Sequence, residues 1–236
     1  MQSYDILINK HVGENCFIVG AGTSLHGLDL SLIHNHIVIS VNSSFIVMPW
    51  AAGAEDRRYF LSNDSAIRNW NYWDYVKKSK SIKIIRDSWK KYYDEIPDFL
   101  VFSPRTTSDG VINPEEKALC YSSSVPSSID LAIQMGCKNI FLLGVDHYFS
   151  GNKSHFWQYW PKETQPVPLK TVVPPLVMQK YIFDLNEKSY EALETFSKLK
   201  KCNIFNCNPL SKIKHFNKID YKQALDMVGS YGKILR

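Results

Sequence analysis

Apolar residues gather in short, nearly unbroken runs, each closed by small polar residues. Cys16-Phe17-Ile18-Val19 stops at Gly20, Ile37-Val38-Ile39-Ser40-Val41 at Asn42, Tyr59-Phe60-Leu61 at Ser62-Asn63-Asp64, and Ile140-Phe141-Leu142-Leu143 at Gly144. Runs of this length without a polar alternate fit parallel strands covered on both faces. The pattern predicts strands over 16–20, 37–42, 58–61 and 139–144, with shorter candidates over 81–85, 99–102 and 202–205.

Between them the period changes. Ser122-Ser123-Ser124-Val125-Pro126 carries helix-start signals, serine for the cap and proline in the first turn, and Gly136 supplies the stop. Residues 178–199 repeat Tyr181, Leu185, Tyr190, Leu193 and Phe196 at helical spacing, which predicts one amphipathic helix. Residues 69–76 also read as helical. Residues 25–32 read as a short helix or turn, 1–15 as a polar lead-in and 103–121 as a loop. A Ser-capped helix, a glycine and a buried strand make half of a βαβ unit. The expected fold is α/β: a Rossmann-like, mainly parallel sheet with helices on both faces, one nucleotide-binding domain over 1–236. Residues 149–175 interrupt it with Gly151, Trp157, Trp160 and five prolines. A segment this long and irregular reads as a lid-like insertion.

Composition narrows the class. With 44% hydrophobic and 22% charged residues the chain is an ordinary globular protein. A net charge of +5 suits an anionic small ligand and leaves peripheral contact with an anionic membrane open. The Lys and Arg residues are scattered, with no dense basic run among aromatics, so no nucleic-acid partner is expected. Cys16, Cys120, Cys137, Cys202 and Cys207 are odd in number and lack the paired spacing of a zinc site, so we expect them reduced and structural, and no metal ligands are assigned. There is no signal-peptide pattern and no apolar run of membrane-spanning length, and a cytoplasmic location is expected.

The strand ends carry the candidate chemistry. Gly20-Ala21-Gly22-Thr23-Ser24 offers backbone amides that can cradle a phosphate. It lacks the third glycine of a dinucleotide fingerprint and the lysine of a Walker loop. Asn42, Asn63 and Asp64 each follow a strand, and the ends of parallel strands share the edge where ligands bind. The same residues also suit plain turns. Ser123 and Ser124 can cap their helix or bind a phosphate. Asp146-His147 and then His155-Phe156-Trp157 form the most reactive stretch: either histidine can serve as a general base near neutral pH, and Asp146 can assist or help hold a metal. Core packing remains the alternative for both histidines.

Taken together, these segments resemble two related groups. Ile18–Leu25, Asn42, Asn63, Ser123-Ser124, Gly136–Tyr148 and Cys202–Leu210 follow the order seen in bacterial sialyltransferases of the Campylobacter type. Gly144-Val145-Asp146-His147, His155-Phe156 and Glu187-Lys188-Ser189-Tyr190-Glu191-Ala192 resemble the signature of the MptE-like (DUF115) family, which includes a pterin diphosphokinase and proteins of surface-polysaccharide gene clusters. The resemblance implies a nucleotide at the strand C-termini, with Gly22, Ser24, Asn42, Asn63, Ser124 and Tyr148 around it. It departs from the sialyltransferases at their base histidine, which falls near Asp184, at an arginine, which falls at Tyr121, and at Ala21. Three readings follow. The first is a transferase moving a sugar from a CMP- or other nucleotide-sugar to a glycan or small-molecule acceptor, with His155 or His147 as base. The second is a diphosphokinase using ATP and Mg²⁺, with Asp146 and Asp64 as metal carboxylates. The third is a non-catalytic nucleotide-binding module. The resemblance also leaves a homo-oligomer open.

Overall fold

The computed structural model describes residues 2–48, 55–92, 98–105, 112–120, 122–169 and 176–229, and of 176–182 the backbone only. Its strands are β1 (Gln2–Ser3), β2 (Asn15–Val19), β3 (Ile37–Val41), β4 (Arg58–Ser62), β5 (Ile82–Arg86), β6 (Phe99–Phe102), β7 (Pro104–Arg105), β8 (Leu119–Cys120), β9 (Asn139–Leu143), β10 (Asn203–Asn206) and β11 (Asn217–Lys218). Its α-helices are α1 (Trp73–Lys78), α2 (Ser124–Gln134), α3 (Leu176–Leu199) and α4 (Tyr221–Met227). Nine strands form one sheet in the order β1-β6-β5-β4-β3-β2-β9-β10-β11. Every pairing in it is parallel. β7 and β8 form a separate parallel pair.

The unbroken apolar runs are explained by two covered faces. Cys16 and Ile18 of β2, Ile37 and Ile39 of β3, and Ile140 and Leu142 of β9 face one core with Ile129, Ile133, Tyr190 and Leu193 of α2 and α3. The alternate residues Phe17, Val19, Val38, Phe141 and Leu143 face a second cluster with Ala224 and Leu225 of α4. A third cluster holds Phe60, Ile85 and Phe99 with Val76 of α1. Successive strand residues point to opposite faces, so helices on both sides require apolar side chains at every position.

Some expectations are revised, and residues 103–121, read as a loop, contain the β7–β8 pair. The helix expected over 69–76 is split into a 3-10 turn, Ser65–Asn69, and the short α1. β11 and α4, which extend the sheet edge and cover one face, were not foreseen. All five cysteines are buried and free. Among the described residues no helix is long and apolar enough to cross a membrane.

The chain runs outward from β2 through β3, β4, β5 and β6, then returns to place β9 on the other side of β2. The order therefore reverses at β2 and β9, and all carboxyl ends lie along one edge. That is where an open parallel sheet offers a crevice to a ligand.

Candidate functional site at the carboxyl edge of the sheet

At the reversal point the chain fills part of its own crevice. The Gly20 amide donates to the Leu143 carbonyl at 2.8 Å, and the Gly22 amide to the Gly144 carbonyl at 2.8 Å. A Cβ on Gly20 would lie 2.5 Å from the Gly144 carbonyl oxygen, and one on Gly22 would lie 2.5 Å from Asp146 Oδ2. Both glycines are thus required by the close approach of the β2 and β9 turns. Asp146 is buried there. Its Oδ2 accepts from the Ser24 amide at 2.8 Å and from Thr23 Oγ1 at 3.3 Å. Its Oδ1 accepts from Asn208 Nδ2 at 2.9 Å and from the Ser24 hydroxyl. The Asp146 carboxylate therefore takes the place of an anion at the Ser24 end of the glycine turn. Among the described residues the Ala21 and Thr23 amides make no hydrogen bond.

The ends of β3 and β4 are more open. Asn42 has a φ of +52°, a left-handed conformation that Asn tolerates better than most residues. The buried Ser124 hydroxyl accepts from the Asn63 amide at 2.8 Å and lies 3.4 Å from Asn42 Oδ1, to which it can donate. One serine at the start of α2 thus ties together two strand ends that lie 21 residues apart in the chain. Ser123 occupies the N-cap position of α2, but its side chain makes no capping bond. The helix opens on to this junction with uncapped first-turn amides, and Pro126 removes one further donor. Asp64 caps the 3-10 turn after β4, its Oδ1 accepting from the Ala66 amide at 2.8 Å. Tyr148 is half-buried and makes no hydrogen bond to a described residue.

The two candidate histidines stand in different surroundings. His147 has a φ of +53°. Its Nδ1 lies 3.2 Å from Glu187 Oε1, its Nε2 3.4 Å from the Tyr190 hydroxyl, and its ring stacks on Phe183 at 4.5 Å. Glu187 Oε2 in turn meets His215 Nε2 at 3.3 Å. Burial pulls the His147 pKa down to about 4 and raises that of Glu187, the latter opposed by His215 and Lys214. Neutral His147 thus lies within contact distance of Glu187, and its Nε2 can accept from the Tyr190 hydroxyl. His155 begins the 3-10 helix Phe156–Tyr159, which the Phe156 amide anchors to the Ala21 carbonyl at 3.0 Å. Its Nδ1 meets Ser154 Oγ at 2.8 Å, and its ring stacks on Trp157 at 5.2 Å. The Trp157 indole donates to Ser43 Oγ at 3.2 Å. Burial pulls the His155 pKa down to about 4 as well. Its Nε2 has no partner among the described residues.

The structure thus joins Asn42, Asn63 and Ser124, and separately joins Gly22, Thr23, Ser24 and Asp146. His155 lies over the glycine turn, while His147 is turned toward α3. Tyr121 lies outside the described residues, as do 170–175 of the irregular segment. Sequence reasoning missed Trp89, whose indole donates to the Asn63 carbonyl at 3.2 Å, and the bond from Asn208 to Asp146. Among the described residues no group of three or more His, Cys, Asp and Glu side chains converges as metal ligands.

Neither a protein-family model nor a curated protein matches the chain. Solved structures do resemble it. The MAf glycosyltransferase from Magnetospirillum magneticum AMB-1 superposes with a TM-score of 0.55 at 18% identity, over 96% of this chain and 38% of the other. The chain therefore spans little more than a third of that protein's length, and the likeness is one of fold. The Campylobacter jejuni sialyltransferase CstII superposes at TM-scores of 0.48 with cytidine-5'-monophosphate and 0.49 with CMP-3FNeuAc. Those two matches have 17% and 16% identity and cover 88% and 87% of this chain and 85% and 86% of the other.

Proposed function

We propose that the protein is a nucleotide-dependent glycosyltransferase that takes its sugar from a CMP- or other nucleotide-sugar for surface-glycan synthesis. The observation that carries this reading is the Ser124 junction. It puts two asparagines and an uncapped helix start on one crevice of a parallel sheet, and Trp157, on which His155 stacks, bonds to Ser43 next to Asn42. The fold is shared with a glycosyltransferase. Asn42 and Asn63 hold the base and ribose, aided by Asp64 and Tyr148. The phosphate lies between the Ala21 and Thr23 amides and the start of α2 at Ser123. Asp146 acts as a positioning residue for the glycine turn, since its oxygens are engaged by Thr23, Ser24 and Asn208.

The acceptor hydroxyl oxygen attacks the anomeric carbon of the bound sugar. The bond from that carbon to the phosphate oxygen breaks, and the nucleotide leaves with the electron pair. The hydroxyl proton passes to His155 Nε2. Ser154 at Nδ1 fixes the ring so that Nε2 faces away from it, and burial keeps the imidazole unprotonated at neutral pH. The segment 149–175, which carries His155 over the glycine turn, acts as the lid that excludes water.

The diphosphokinase reading asks Asp146 and Asp64 to hold Mg²⁺. That donor set does not fit: Asp146 is saturated by four donors, and Asp64 is a cap on a different turn. The test is a thermal-shift panel of CMP, CDP, UDP, GDP and ATP, each with and without Mg²⁺. A ligand at a hundred times its Kd adds about 2.7 kcal/mol, so stabilisation by CMP or CDP without metal is the expected result. Stabilisation by ATP with Mg²⁺ alone would restore the kinase, and no response at all would leave no nucleotide site.

A further inference from the structure

Beyond Asn63 the carboxyl edge carries a ledge of aromatic rings and cations that the nucleotide does not use. Arg68, in the 3-10 turn after β4, is half-buried, and its guanidinium lies 3.9 Å from the centroid of Tyr92. It makes no hydrogen bond or ion pair with any described residue. Tyr92 lies 6.1 Å from Trp89, and Arg86 lies 5.5 Å from the same indole. On the other side, Trp70 meets Trp157 edge-on at 6.2 Å, and Trp157 stacks on His155. Trp70 and Trp89 both pack, partly buried, on the cluster around Phe60 and Phe99. The aromatic surface therefore extends from His155 toward the guanidinium of Arg68.

Three features identify an occupant. First, a guanidinium stacked on an aromatic ring keeps its edge N–H groups outward in a planar fork that matches a carboxylate or phosphate. Second, neither Asp64 nor Asp87, the carboxylates of the described loop residues 63–70 and 86–92, pairs with Arg68; Asp94 and Glu95 follow in the sequence outside the described residues. Asp64 and Asp87 already accept hydrogen bonds, from Ala66 and Ser103. Third, flat, half-exposed indole and phenol rings offer apolar faces to the C–H face of a sugar ring while leaving its hydroxyls wet. β4 and β5 stand two and three strands from β2. At roughly 4.8 Å per strand the Arg68 end of the ledge lies about 10 Å from the glycine turn, outside the space for the nucleotide phosphate.

We propose that this ledge is the acceptor subsite and that the acceptor is an acidic saccharide, its carboxylate or phosphate on Arg68 and its sugar rings on the aromatic faces. The proposal rests on the glycosyltransferase reading and adds the acceptor's class.

The test uses the full chain, saturated with CMP, on an array of carboxylated, phosphorylated and neutral oligosaccharides, with Arg68→Ala and Arg68→Lys beside the wild type. Binding should be confined to acidic glycans, and the carboxylated and phosphorylated sets identify which acid is read. Arg68→Ala should weaken it by about tenfold or more, and Arg68→Lys should recover only part, because an ammonium lacks the planar fork. CMP affinity, measured separately by calorimetry, should be unchanged in both variants. Equal binding of neutral glycans, or no glycan binding at all, would overturn the proposal. So would a loss of CMP affinity in Arg68→Ala, which would assign Arg68 to the donor phosphate. Absence of any nucleotide binding by the wild type would instead remove the transferase reading, while acidic-glycan binding through Arg68 would still be read on its own terms.

Discussion

His147 and His155 stand eight residues apart and share a depressed pKa of about 4, yet their surroundings differ. His147 faces α3 with both ring nitrogens engaged, by Glu187 and by the Tyr190 hydroxyl, and its ring is stacked on Phe183. His155 has one nitrogen on a serine hydroxyl and the other without a partner among the described residues. A buried histidine paired on both sides is a joint between elements: moving its proton breaks a contact. One paired on a single side is oriented but still able to accept a proton. The depressed pKa does not separate the two roles; the partner count does.

The sharpest way to break this comparison is to remove each ring in turn. His155→Ala should lower turnover by about two to four orders of magnitude and leave CMP affinity near wild type, as read by steady-state kinetics and calorimetry. His147→Ala should leave turnover within a few-fold at temperatures where it is folded. A silent His155→Ala, or a dead His147→Ala with an unchanged melting temperature, would exchange the two roles. The wild-type rate should hold from neutral pH down to about pH 5. It should then fall as His155 is protonated through about 4, because only the neutral ring accepts a proton.

The next effect is on stability. Asp146→Ala strands the Ser24 amide, the Ser24 and Thr23 hydroxyls and the Asn208 amide in a buried junction. It should cost about 3 kcal/mol or more in urea denaturation. An aspartate acting only as a reagent would cost little stability. Smaller again is the loss in His147→Ala, about 1–2 kcal/mol from one hydrogen bond and a ring contact. Both histidines also link folding to pH. Their folded pKa values, about 4, lie below the ordinary 6.5. Between pH 6.5 and 4 the unfolded chain therefore binds more protons, and stability falls as the pH falls through that window. The melting temperature should drop less over the window in His147→Phe than in the wild type.

How much of this was legible in the sequence follows from where partners lie. The central strands could be read because burial on both faces forces unbroken apolar runs, as in Phe17-Ile18-Val19 and Phe141-Leu142-Leu143. β11 is only two residues long and exposed, and α4 seven residues, so neither had a periodic signal to read. Asn42 and Asn63 could be placed on one edge because parallel strands end together. That Ser124 would join them depends on how α2 packs across β2, β3 and β4, which no local pattern encodes. The filling of the glycine turn by Asp146 was likewise hidden, since the aspartate and Ser24 are 122 residues apart. The turn's amides and glycines look the same whether the anion is a ligand or the chain's own carboxylate.

The smallest effect tests how His155 is oriented. A carboxylate in hydrogen-bond contact with an imidazole raises its basicity, which the hydroxyl of Ser154 cannot do for His155. A hydroxyl at 2.8 Å holds the ring angle without adding charge. Ser154→Ala should therefore reduce kcat by only about three- to tenfold, the value of one neutral hydrogen bond, with the acidic limb of the pH–rate profile left in place. Ser154→Asp puts a carboxylate where His147 already has one. It should shift that limb to higher pH, because the charge favours protonated His155. A limb that does not move in Ser154→Asp would mean that the rate is not limited by proton transfer to His155. The difference between the two histidines would then be one of packing alone.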